Sequence, residues 1–140
     1  QLGEANMEWL RSLPTEQLVA DGRIHMVHGH PDDPDRYTCP RAFSASMLRD
    51  GVDVVIVGHT HVQGSRRFGD GVVLNPGSVG QPRDGDPRAA FAVVDLDADD
   101  EDGGPTVDQH RVEYDVDRVS KAVEAASLPK SIGTRLKAGK

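Results

Sequence analysis

The chain has one cysteine, one tryptophan, three phenylalanines and two tyrosines in 140 residues, and these scarcities exclude a good deal. Cys39, being alone, forms no intrachain disulfide, so a disulfide scaffold is excluded and a reducing cytoplasm is the expected setting. Structural zinc sites usually recruit several cysteines, which leaves little room for that class. No apolar run approaches the roughly 18 residues that a membrane-spanning helix needs. The opening "QLGEANMEWL" lacks the basic region leading into an apolar one that marks a secretory signal. The net charge of -7 argues against non-specific binding to nucleic acid or anionic lipid. Lysine is scarce too: the 16 basic residues are 4 Lys and 12 Arg, and the 23 acids are 6 Glu and 17 Asp. Such an Asp-rich, Lys-poor balance suits a salt-saturated cytosol, and a high-GC genome would produce it as well.

What is present reads as an α/β chain. Met7, Leu10 and Leu13, widened by Trp9, predict a helix over Ala5–Leu13 that Pro14 closes. A strand follows from Arg23 to Val27, then a loop through "PDDPDRYTCP", a helix over Arg41–Gly51 and a strand in "VDVVIV". That last run has no polar alternation, which predicts a strand buried on both faces of a parallel sheet. Beyond it, "VQGSRRF", "GVVLN", "AAFAVVDL" and "PTVDQHRVEY" read as shorter strands, the first two joined by a hairpin turn near Gly69–Gly71. "DADDEDGGP" reads as an acidic loop. A helix is expected over Asp115–Ala126, and a loosely ordered tail from Pro129.

The histidines carry the chemistry. Five of the six (His25, His28, His30, His59 and His61) lie between positions 25 and 61. "VHGHP" and "VGHTHVQ" each follow a predicted strand. Strand neighbours in a parallel sheet lie about 4.8 Å apart, and sites in open α/β sheets form beyond the carboxyl ends of strands. His28 and His59 can therefore face one pocket, and neutral imidazole ligates Zn, Mn, Fe, Co and Ni. Gly29 leaves room for a close turn after His28. His25 falls mid-strand and reads as a core-edge histidine, and His110 as structural. Asp32, Asp33, Asp84 and Asp86 sit among Pro and Gly and read as turn formers.

"VHGHP" and "VVIVGHTHVQ", followed by "LNPGSVGQPRDGDPRAAFAVVD", resemble the later motifs of the calcineurin-like metallophosphoesterases, nearest their small prokaryotic phosphodiesterase-like branch. The likeness runs from about Trp9 to Ala126. It implies a four-layer αββα sandwich of which residues 1–128 are the carboxy-terminal part, with 129–140 a tail. It implies two divalent metal ions, manganese first and Fe, Zn or Ni as alternatives, with His28 and His59 on the second metal and His61 on the first. His30, Asn75 and Arg83 are candidates for substrate contact, Arg83 through a bidentate fork on phosphate. The family's earlier motifs, which supply the bridging Asp and the proton-donating His, have no counterpart here. The implied activity is hydrolysis of a small phosphoester, with nucleic acid at most a hydrolysed substrate. A phosphomonoesterase, a dinucleoside-polyphosphate hydrolase or a non-catalytic interaction module on the same scaffold are the alternatives. The implied partners are a complementing amino-terminal half or a second copy of the chain.

Overall fold

The elements follow one another as α1 (Glu4–Ser12), β1 (Glu16–Val19), β2 (Ile24–Val27), two short 3-10 turns (Pro40–Ala42 and Ala45–Met47), β3 (Val54–Val57), β4 (Gly64–Phe68), β5 (Gly71–Asn75), β6 (Ala89–Asp95), β7 (Thr106–Val112), α2 (Val116–Ala125) and α3 (Lys130–Ala138). The structure is a computed structural model in which residues 2–98 and 103–140 are described. The expected acidic loop falls partly outside the described residues. Five strands form one sheet in the order β1-β2-β3-β5-β4, and β6 and β7 form a second, antiparallel pair.

Parallel pairing lies where the uninterrupted apolar run predicts it. β3 runs parallel to both β2 and β5, with Val27 opposite Val57 and Val54 opposite Val72. The core on one side of the sheet is Val27, Val55, Val57 and Val73, closed by Phe43 and Met47 from the β2–β3 connection. Each such side chain, fully buried, contributes about 2 kcal/mol relative to exposure. The β4–β5 hairpin turns at Gly69–Asp70, as its sequence predicts.

Two expectations need correction, and a third, the first helix, is met with its apolar stripe left uncovered. Arg41–Gly51 is not a helix: two 3-10 turns, separated by extended residues Phe43 and Ser44, bring Phe43, Met47 and Leu48 onto the sheet. Burial of those side chains is what the stretch requires, and single turns achieve it without a helical repeat. The α1 stripe is present but covers nothing, since α1 has no buried residue and Trp9 is 61% exposed. Residues after Pro129 are not a loose tail; α3 packs along α2, with Gly133 against Ser120 and Leu136 buried. No helix among the described residues is long and apolar enough to cross a membrane.

Candidate metal centre

Register places the histidines. Because Val27 and Val57 are paired at the carboxyl ends of β2 and β3, the next residues, His28 and Gly58, meet, and Gly58 N–H donates to His28 O at 2.8 Å. One residue further on, His59 turns its Nδ1 to within 2.9 Å of His28 Nε2, the two rings edge to face at 4.6 Å between centroids. Both His59 and His61 adopt left-handed backbone, with φ of 60° and 58°. That conformation costs a non-glycine residue roughly 1 kcal/mol or more, and such strain clusters at functional sites. Between them Thr60 is fully buried, so the chain zigzags with two imidazoles out and one hydroxyl in.

Asn75, at the end of β5, holds this zigzag. Its Nδ2 donates to Gly58 O at 2.7 Å and Thr60 Oγ1 at 3.0 Å, and its Oδ1 accepts from Gly77 N–H. Asn75 is 0% exposed with its amide thus occupied, so in this structure it works on the loop instead of facing the open site. His61 is bracketed by the segment after β5. Its Nδ1 lies 2.8 Å from Gln81 O, and its own carbonyl accepts from Arg83 N–H at 3.0 Å. A carbonyl oxygen only accepts, so Nδ1 carries the proton and Nε2 keeps a lone pair for a ligand. A ligating histidine is commonly oriented in this way by a carbonyl behind it.

The remaining candidates divide. His30 is buried; its Nδ1 accepts from Asp32 N–H at 3.1 Å, which leaves the proton on Nε2. Burial, then the nearby Arg36 cation, lowers its pKa and keeps it neutral. The Arg83 side chain is exposed and makes no ion pair among the described residues. Gly29 is indispensable to the turn, since a Cβ there would lie 2.4 Å from Pro34 O and 2.5 Å from Arg36 O. Asp33, Asp84 and Asp86 cap turns through backbone N–H groups two residues on, and His25 is a buried histidine bonded to Glu16 at 2.9 Å. His110 stacks on Phe91. Two residues at the site escape a sequence reading. Tyr37 packs its ring against His59 at 5.4 Å and donates to Thr60 O at 3.3 Å. Gln63 ties Pro76 O, Phe91 O and His110 O with its Nε2. A tyrosine in a Pro/Asp loop carries no spacing signal that could have found it.

Among the described residues no three His, Cys, Asp or Glu side chains converge tightly enough to hold an ion by themselves. The donor set is a facing pair of imidazoles plus a third with its lone pair freed. That chemistry suits a divalent transition ion, and it lacks a carboxylate.

Histidines gathered beyond the carboxyl ends of parallel strands, two of them on left-handed backbone, mark an α/β protein with a candidate divalent-ion site. The chain belongs to the calcineurin-like phosphoesterase superfamily, whose domain model matches residues 2–99. It is 29% identical to an uncharacterized protein, MJ0912, of Methanocaldococcus jannaschii, over 96% of this chain and 60% of that protein. It is also 31% identical to the phosphodiesterase YfcE of Escherichia coli, over 60% of this chain and 41% of the relative. Among solved structures it resembles a metallophosphoesterase from Sphaerobacter thermophilus, with a TM-score of 0.75 and 31% identity. It resembles a hypothetical protein, PH1004, from Pyrococcus horikoshii with a TM-score of 0.80 and 25% identity. Each likeness covers 99% of this chain, and 63% and 56% of the respective structures. The chain thus spans about three fifths or less of the relatives it matches.

Proposed function

We propose that the chain supplies part of a metal-dependent phosphodiesterase centre, in which His28 and His59 hold one divalent ion and His61 contributes to a second. The carrying observation is the convergence of His28 Nε2 and His59 Nδ1 at 2.9 Å, in a member of the calcineurin-like phosphoesterase superfamily. Manganese is the first metal to supply, with Fe, Zn and Ni also suited to imidazole. When bound, a pair of such ions lowers the pKa of a water and offsets charge on the phosphoryl oxygens.

The chain's own residues orient and bind. Asn75 and Gln81 set the attitudes of the two histidine-bearing turns. Arg83, exposed and tied by its backbone to His61, presents a bidentate fork to a phosphoryl group. His30 Nε2–H, kept protonated on that nitrogen by the Asp32 amide, offers a neutral donor to a substrate oxygen. A complementing amino-terminal half, on the same polypeptide or a partner, would bring the bridging carboxylate and the proton donor. The single free cysteine fits a cytoplasmic setting.

Calorimetric titration of the chain with Mn or Zn tests the site. Uptake should fall by more than about 100-fold in His28→Ala or His59→Ala, since even outer partners of a metal ligand are worth about 10–100-fold. Uptake unchanged in both variants would sink the assignment. Once the missing carboxylates are supplied, bis(p-nitrophenyl) phosphate should be cleaved faster than p-nitrophenyl phosphate. The reverse preference would favour a phosphomonoesterase.

A further inference from the structure

We infer that the carboxy-terminal helix α3 is a latch that positions His61 and Arg83, although it lies beyond the part of the chain that the superfamily model covers. The contacts run in sequence. His61 is gripped on both sides by the Gln81–Arg83 segment, through Gln81 O to the ring and Arg83 N–H to the His61 carbonyl. That segment is gripped in turn by the end of α3: Gly85 N–H donates to Gly139 O at 3.0 Å, and Gln81 Nε2 donates to Lys140 O at 3.4 Å. The fit leaves no slack. A Cβ at Gly139 would lie 2.7 Å from both Gly85 C and Asp86 N and 2.9 Å from Asp86 C, all of them backbone atoms that no rotamer change can move.

The seat of the latch is equally tight. Gly133 packs against Ser120 of α2, Leu136 is buried, and Lys137 pairs with Asp117 at 2.6 Å. Asp84, bonded to Gln63 N–H and Arg111, ties the same segment to a second set of partners. Gly139 also ends α3 in left-handed backbone, at φ 62° and ψ 42°, as helix ends commonly do. Cap and latch are separable, because asparagine tolerates the left-handed cap position but adds the Cβ that the Gly85–Asp86 backbone excludes. Gly139→Asn therefore removes the latch while keeping the cap.

The inference rests on the phosphoesterase reading for the use of His61, and on contacts within the chain for how His61 is held. The experiment is NMR on the 15N-labelled full chain, reading native-state hydrogen exchange at Gly85 and Arg83 and the ring nitrogens of His61. A latch opens as one unit, so in the wild type the two amides should exchange at matching protection. In Gly139→Asn both should exchange about tenfold faster or more, as overpacking implies. The His61 ring should leave its single Nδ1–H form, while His25, held by Glu16, stays unchanged. Independent exchange of the two amides in the wild type would overturn the latch, and that result needs no variant to fold. So would an unaltered Arg83 and His61 in a folded Gly139→Asn. Zinc added to the wild type separates the two ideas. Coupled exchange with no zinc response at His28, His59 or His61 supports the latch and counts against the assignment of these histidines to metal in this chain. A zinc response with uncoupled exchange does the reverse.

Discussion

At the scale of single residues the site depends on groups that touch no ligand. Asn75 is the clearest case, because one buried amide satisfies Gly58 O, Thr60 Oγ1 and Gly77 N–H at once. Asn75→Ala should leave Gly77 N–H unpaired, and should strip one donor each from Gly58 O, which keeps Thr60 N–H, and from Thr60 Oγ1, which keeps Val62 N–H, at a cost of about 1–3 kcal/mol. Urea titration should show it as a lower midpoint at unchanged slope. Asn75→Asp should be at least as costly, since it sets a carboxylate against the Gly58 carbonyl. Asp84 supports the loop by charge. Partial burial pushes its carboxyl up, but Arg111, the Gln63 amide and the Asp86 amide outweigh that and hold the pKa below the usual carboxylate range. Since the unfolded chain takes the proton first, this contribution is complete above about pH 4 and is lost as pH falls through the lower folded value. Thermal melts between pH 7 and pH 3 should therefore show Asp84→Asn less stable at neutrality, with a shallower decline on acidification. An equal decline in both proteins would remove Asp84 from the acid transition.

At the scale of elements, what could be read from sequence was what burial periodicity encodes. "VDVVIV" announces a strand buried on both faces and "RIHMVHGHP" a second strand ending in histidines, and the structure pairs the two in parallel with their histidines adjacent. β1 could not be read, because Glu16–Val19 is four residues at a sheet edge with a largely exposed pattern. It is set by a turn over Ala20, Asp21 and Gly22, all at positive φ, where Asp and Gly suit the conformation and Ala does not. The Arg41–Gly51 segment misled because its apolar spacing serves two tight turns as well as a helix. Asn75 was found as a candidate without its function, since its role depends on a turn 15 residues away. α3 was missed because Gly133, a poor helix former, is there for contact: a Cβ would lie 2.3 Å from Ser120 Oγ and 3.2 Å from Ser120 Cβ. The hydroxyl can rotate away; the Cβ cannot. Gly133→Ala gains about 1 kcal/mol of helix propensity and loses about 1–3 to overpacking, so a small net loss is expected. Ser120→Ala should reduce that loss only in part, which a double-mutant cycle in urea would measure.

At the scale of the whole molecule, the uneven distribution of apolar surface has a consequence in solution. The sheet is covered on its Phe43–Met47 side, yet Trp9, Leu10, Leu13 and Met26 stay exposed. Leu13, Met26, Val27 and Ile56 also line a groove of about 390 Å³ that reaches His28, Gly58 and Pro76. Contiguous exposed apolar surface of this kind marks an interaction face or an aggregation liability. Being continuous with the turn that carries His28, it suits the complementing half proposed above, which would bury apolar area there and bring its carboxylates to the histidines. Until covered, the face should bind itself. The isolated chain is expected to self-associate at micromolar concentration and to bind the dye ANS, by light scattering and fluorescence. The pair Leu10→Glu and Leu13→Glu should abolish both signals with little effect on unfolding midpoint, because neither side chain is part of the core. A wild-type chain that runs as a monomer and binds no dye would mean that this face closes on itself in solution, and the complementing half would then need a different docking place.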